Sequence, residues 1–152
     1  MSKPYCYEYP RPSVTVDLVV FGLQDGQTRV LLIRRGQEPF TGRWALPGGF
    51  LDMDEEPEVS ARRELKEETG LELPGPVQPL GFFGAPGRDP RGRTISLVYW
   101  GTIEPPLPEV EGSDDASEAA WMPTDRPVGG YAFDHEQIIK AALKRFRRLK
   151  KR

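Results

Sequence analysis

The sequence predicts an α/β fold, a mixed sheet with helices packed on it. Three observations predict it. Runs with strand character recur at residues 13–23, 30–35, 78–84 and 94–104. A segment with helix signals, 57–69, falls between the second and third of these, and an amphipathic stretch, 135–149, comes after them all. The order strands, helix, strands, helix implies a sheet with helices laid on it. A chain of 152 residues has the size of one domain and can bury a real core. No repeat, low-complexity tract or long linker divides it.

Each element has a local reason. Residues 13–23, SVTVDLVVFGL, alternate and are rich in β-branched and aromatic types, as strands are. Asp25-Gly26 is a turn signal, and VLLIRR at 30–35 is the returning strand of a hairpin. Residues 39–49 read as a loop with short extended pieces. The helix at 57–69 has Pro57 at its first position and Gly70 just past its end. Pro74 and Pro76 break regular structure in the stretch after Gly70. TISLVYWGTIE at 94–104 is apolar enough for a central strand, and APGRDPRGR at 85–93 is a basic loop before it. Residues 105–116 are rich in Pro and acids and are expected to be exposed; 119–122 reads as a short strand. Ile138, Ile139, Ala142, Leu143, Phe146 and Leu149 keep helical spacing through 135–149. Residues 1–11 are expected to form a flexible arm on a single domain spanning 1–152.

Charged residues make up 29% of the chain and the formal net charge is −2, which fits a globular protein and not a disordered acidic one. The charge is uneven. Eight of the 21 Lys and Arg fall in residues 140–152, where there is no acid, so the rest of the chain is acidic. The basic run reads as the solvated face and end of a helix, and nucleic acid is not an expected partner. Cys6 is the only cysteine, so no intramolecular disulfide forms and a reducing, cytoplasmic setting is expected. The N-terminal residues lack the apolar core of a signal peptide, and no apolar run is long enough to cross a membrane.

The informative segment is 49–71, GFLDMDEEPEVSARRELKEETGL. At 100° per residue, Glu64, Glu67 and Glu68 share one helical face, with the small Ser60 one turn earlier. Three carboxylates so placed repel one another and raise each other's pKa. A hard divalent cation is the natural counterion, and Mg²⁺ leaves positions open for water and phosphate oxygens.

The full spacing is more specific. Gly49, five residues, Glu55, seven residues, Arg63-Glu64-Leu65, one residue, Glu67-Glu68, one residue, Gly70-Leu71 resembles the Nudix box at every defining position. The preceding hairpin and Trp44-Ala45-Leu46-Pro47-Gly48-Gly49 are also similar to that family. The resemblance implies an α/β/α sandwich with the box as loop–helix–loop. It implies that Glu64, Glu67 and Glu68 hold Mg²⁺ or Mn²⁺, joined by a backbone carbonyl near Gly48. Arg63 would then pair with Glu55 or Glu67 to aim a carboxylate. The general base varies in the family; Glu64 and Glu68 are candidates, as are Asp114, Asp115 and Glu118 from the loop before Trp121. Many relatives are homodimers, so a dimer is the expectation by resemblance.

Three features outside the box bear on the substrate. Pro86 lies fifteen residues after Leu71, a spacing that resembles the ADP-ribose pyrophosphatase branch. Arg88, Arg91 and Arg93 put three guanidinium groups on one loop, and such forks match phosphate oxygens. Asp114-Asp115-Ala116, Ala120-Trp121 and Ala132-Phe133-Asp134-His135 resemble the ends of ADP-ribose pyrophosphatase-like proteins and of Nudix-derived regulators of NAD metabolism. Trp44, Phe82, Phe83, Tyr131 and Phe133 are candidates to stack on a base; Trp44, Pro86 and the three arginines form the expected substrate contacts. His135, the sole histidine, is expected to start the last helix. The resemblance implies hydrolysis of a nucleoside diphosphate linked to another group, foremost ADP-ribose to AMP and ribose 5-phosphate. The alternatives are a pyrophosphohydrolase acting on damaged nucleotides such as 8-oxo-dGTP, and a non-catalytic sensor of ADP-ribose.

Overall fold

The computed structural model describes residues 4–126 and 128–151. Strand β1 (Ser13–Gln24) turns at Asp25-Gly26 into β2 (Gln27–Arg35), so the hairpin closes three residues earlier than the apolar run suggests. Both turn residues have positive φ, 53° and 76°, the pattern of a tight two-residue hairpin turn. The approach to the box contains β3 (Trp44–Ala45) and β4 (Gly48–Phe50). Helix α1 (Pro57–Thr69) starts on Pro57 and ends where Gly70, at φ 78°, donates its N–H to the Lys66 carbonyl. The remaining elements are β5 (Gln78–Phe83), β6 (Thr94–Ile103), β7 (Ala116–Pro123) and α2 (His135–Lys150).

The strands form one mixed sheet in the order β3-β2-β1-β6-β5, with β4 paired to β1 and β7 to β2. β1 is its axis. It runs parallel to β6 along ten residues, while its other edge is shared by β4 at Thr15–Asp17 and β2 from Phe21 onward. Its even positions Val16, Leu18 and Val20 pack with Ala61 and Leu65 of α1; Val19 and Phe21 pack with Ile138, Ile139, Ala142 and Leu143 of α2. With a helix on each face, β1 is buried on both sides, which explains its nearly unbroken apolar sequence. The architecture is the expected α/β/α sandwich. β7 runs longer than the 119–122 reading because Ser117 and Glu118 are exposed and interrupt the apolar pattern after buried Ala116, yet the strand pairs with β2 across a register shift at Arg34 and Arg35.

Residues 4–12 lie outside strands and helices and are exposed; residues 1–3 of the expected arm lie outside the described residues. Among the described residues no helix is long and apolar enough to cross a membrane.

Candidate active site

The site begins where α1 meets β4. Ser60 and Ala61 are buried, and these small residues let the helix approach the sheet closely. Opposite them, β4 has no side chains at Gly48 and Gly49. A Cβ on Gly48 would run into the Val16 carbonyl and the Asp17 carboxylate; one on Gly49 would run into the Glu64 carboxylate. The glycine pair thus brings bare backbone against two carboxylates.

Glu68 is the most enclosed acid of the helix, 4% exposed, and accepts the Gly48 N–H at 2.8 Å. Burial pushes its carboxyl up to about 8, against the help of that N–H, and the charges of Glu64, Asp17 and Asp115 push the same way. Glu64 is also raised, first by burial, with the neighbouring Glu67 and Asp114 adding to it and Arg63 opposing. Arg63 organises the rest. Its Nε donates to Glu55 at 2.9 and 3.0 Å, and its Nη1 reaches both Glu64 at 3.2 Å and Glu67 at 3.1 Å. Its Nη2 donates to Ser60 and lies 3.3 Å from Asp52. So the expected pairing of Arg63 with Glu55 or Glu67 occurs with both. Glu64 and Glu67 are drawn together on one guanidinium, while Glu68 turns to the Gly48 amide. Among the described residues no three Asp, Glu, His or Cys side chains already surround one point.

The donor set nevertheless suits a hard cation. All the groups are oxygens, Asp17, Glu64, Glu68 and Asp115 concentrate negative charge, and the bare backbone at Gly48 and Gly49 lies beside them. The loop at 111–115 crosses the end of α1, where Glu111 and Ser113 donate their N–H groups to the Thr69 and Glu68 carbonyls. That crossing makes Asp114 and Asp115 electrostatic neighbours of Glu64 and Glu68. Glu118 instead pairs with Arg34 at 3.6 Å, with both side chains largely exposed.

A cleft adjoins this cluster, lined by Asp17, Gly48, Gly49, Arg35, Arg91 and Phe133 among others. Arg35 ends β2, and its pKa is lowered by burial and by the charge of Arg91, with Glu68 opposing. Its Nε donates to the Pro39 carbonyl at 2.6 Å. Phe133, at φ 53°, has two guanidinium groups near its ring, Arg35 at 5.1 Å and Arg91 at 5.5 Å from the ring centre. Arg91 also lies 4.8 Å from the ring of Phe50, which is 47% exposed, and is held by both oxygens of buried Asp89. Two guanidinium groups beside a carboxylate cluster form a wall that can receive phosphate oxygens.

The expected substrate contacts divide. Arg91 lines the cleft. Arg88 does too, but its guanidinium is committed to Asp134 through bonds of 2.9 and 2.6 Å, and its side chain is buried. Arg93 and Pro86 are exposed and lie outside the cleft lining. Trp44 is a core residue, 7% exposed, with Arg34 over its ring at 4.9 Å; pairing of β3 with β2 turns the indole into the α2-side core instead of leaving a face open to stack. Of the other aromatic candidates, Phe133 lines the cleft, while Phe82 stands exposed on β5, the last strand in the sheet order. Sequence reasoning missed Asp17, Arg35 and Phe50. Asp17 carried a signal, a charge in the middle of an apolar strand; it is buried and accepts the Ser96 hydroxyl. Arg35 and Phe50 carried none.

The sequence model of the NUDIX domain matches residues 13–145. The chain belongs to the NUDIX family. It is 42% identical over 132 residues to the ADP-ribose pyrophosphatase of Methanocaldococcus jannaschii, a match covering 87% of this chain and 73% of that protein. It is 31% identical over 141 residues to the ADPR responsive transcriptional repressor NtrR of Acinetobacter baylyi, covering 91% of this chain but 56% of the repressor. The chain thus spans little more than half the length of that relative. The NUDIX domain of Shewanella oneidensis NrtR, solved in complex with ADP ribose, superposes with a TM-score of 0.81 at 33% identity, covering 91% of this chain and 90% of that domain. Helix α1 with its flanking loops is therefore the Nudix box of this chain.

Proposed function

We propose that this Nudix chain is a hydrolase dependent on Mg²⁺ or Mn²⁺ that splits the diphosphate of ADP-ribose, giving AMP and ribose 5-phosphate. The observation that carries the reading is the pair of carboxylates on α1, buried Glu68 and partly buried Glu64, set against the bare backbone of Gly48 and Gly49 and braced by Arg63. Glu64, Glu67, Glu68 and the Gly48 carbonyl would hold the cation. When bound, the cation neutralises diphosphate oxygens and acidifies water. Arg63 keeps Glu55, Glu64 and Glu67 in register for that task. Arg35 and Arg91, both close to the Phe133 ring, receive phosphate oxygens. A box glutamate, Glu64 or Glu68, takes the proton of the attacking water, and Asp114 and Asp115 are the other acids near them. Substrate choice follows the 42% identical pyrophosphatase.

A second reading, a domain that senses ADP-ribose without cleaving it, has the repressor relative in its favour. The box glutamates and their arginine are all present here, and a sensor has no need of them. Product chromatography after incubation with ADP-ribose or 8-oxo-dGTP and Mg²⁺ separates the cases. The expected result is AMP and ribose 5-phosphate, with kcat/KM for ADP-ribose about tenfold or more above that for 8-oxo-dGTP, a difference of about 1.4 kcal/mol. Pyrophosphate release from 8-oxo-dGTP at the higher efficiency would identify a nucleotide-sanitising enzyme. Tight binding of ADP-ribose without turnover would identify the sensor.

A further inference from the structure

The site rests on a short stretch of backbone, Leu46-Pro47-Gly48, which is gripped at three consecutive residues by three different elements. The Gly48 N–H goes to Glu68 of α1 at 2.8 Å. The Pro47 carbonyl accepts the Leu18 N–H of β1 at 3.0 Å. The Leu46 N–H goes to Nδ1 of His135, the first residue of α2, at 2.9 Å. The first grip comes from the box itself and the second from the strand beside it. The third comes from 89 residues away and from a side chain that the proposed chemistry does not use.

His135 is built for this contact. It is 4% exposed, and Leu46 is 2% exposed, so no solvent stands in for the bond. An Nδ1 that accepts leaves the ring proton on Nε2, which faces Asp17 Oδ1 at 3.8 Å. Asp17 in turn lies against Gly48 and accepts the Ser96 hydroxyl. The neighbouring Asp134 accepts from Nε and Nη2 of Arg88. The link also ends a zipper. Trp44 donates to the Gly130 carbonyl and accepts from Ala132, and the His135 bond carries that attachment two residues further, to the edge of the glycine pair.

We infer that His135 is a positioning residue of the cation and diphosphate site, holding the Leu46 amide and through it the Gly48 carbonyl. The inference rests on the proposed role of Gly48 and the box glutamates, and one experiment separates the two. Asn and His place an acceptor two bonds from Cβ, whereas Gln places it one bond further. His135→Asn therefore keeps the acceptor for Leu46, and His135→Gln removes it while staying polar. The probe is Mn²⁺ binding to the full chain, followed by electron paramagnetic resonance, alongside melting temperature and the kinetics of ADP-ribose hydrolysis. His135→Gln should weaken Mn²⁺ binding about tenfold or more, the usual cost of losing a group that orients a metal ligand. KM at saturating Mn²⁺ should hardly move, and His135→Asn should stay within about twofold of the parent protein. Equal losses in both variants, or a lowered melting temperature with unchanged Mn²⁺ affinity in His135→Gln, would overturn the inference. Glu68→Gln is the control for the underlying reading: if it binds Mn²⁺ as the parent does, the carboxylate site itself is wrong, and the role of His135 falls with it.

Discussion

Glu68→Gln tests the electrostatics of the site without any substrate. In metal-free protein, burial and the charges of Glu64, Asp17 and Asp115 hold the Glu68 carboxyl near 8, against about 4.5 in the unfolded chain. Because the folded value is the higher one, the stability this group contributes is full below pH 4.5 and is lost as pH rises through 8. Gln keeps an oxygen for the Gly48 N–H and has no charge to desolvate. Relative to Gln, the parent protein should therefore be handicapped by about 1 kcal/mol at pH 5 and about 3 kcal/mol at pH 7. The difference between the two pH values, about 2 kcal/mol, carries the test, because the other titrating groups are present in both proteins. For a chain of this length it corresponds to a widening of the melting-temperature gap by about 6 °C. The assay is thermal unfolding of both proteins in excess EDTA from pH 5 to 8.5. Saturating Mg²⁺ should then stabilise the parent and not the variant, since a ligand bound only to the folded state raises its stability. Parallel pH curves for the two proteins would refute the burial argument. Equal Mg²⁺ stabilisation would refute the assignment of Glu68 to the cation.

Excess EDTA should abolish hydrolysis of ADP-ribose and added Mg²⁺ or Mn²⁺ should restore it; full turnover in metal-free buffer would remove the mechanism. Arg63→Lys should lower kcat/KM by about 10- to 100-fold, because one ammonium cannot serve Glu55, Glu64 and Glu67 together; steady-state kinetics at several Mg²⁺ concentrations checks it. The loop arginines should separate in a paired melting and kinetic assay. Arg88→Ala strands Asp134 at the start of α2 and should cost about 3 kcal/mol of stability, while Arg93→Ala should change neither melting temperature nor KM.

The box was legible because its information is local. Helix geometry alone puts Glu64 and Glu68 one turn apart, and Pro57 and Gly70 mark where the helix begins and ends. Nothing beyond a 23-residue window was needed. The β1–β2 hairpin was legible for the same reason, since Asp25-Gly26 fixes its turn. The opposite wall of the cleft was not. Arg88, Arg91 and Arg93 look equivalent in sequence, and only the fold tells them apart: Asp134 arrives from 46 residues away to claim Arg88, and Asp89 folds back on Arg91. In sequence Trp44 is one of several aromatic candidates to stack on a base, but pairing with β2 buries it.

The two walls are joined by the parallel pairing of β1 with β6, a contact no periodicity can announce. It places Asp17 beside Val98, two residues along from the Ser96 that hydrogen-bonds to it, and sets the end of the arginine loop next to Ser13. The glycine pair then comes to lie between α1 on one side and the start of α2 on the other. A sequence motif can specify the acids that hold a charge. Where that charge sits depends on Leu46, Pro47 and Gly48, each fixed by a residue remote from it in the chain. The rigidity needed to bring several carboxylates together against their repulsion is therefore a property of the whole sandwich. The box alone, cut from β1 and α2, would keep its helix signals and lose its reason to bury Glu68.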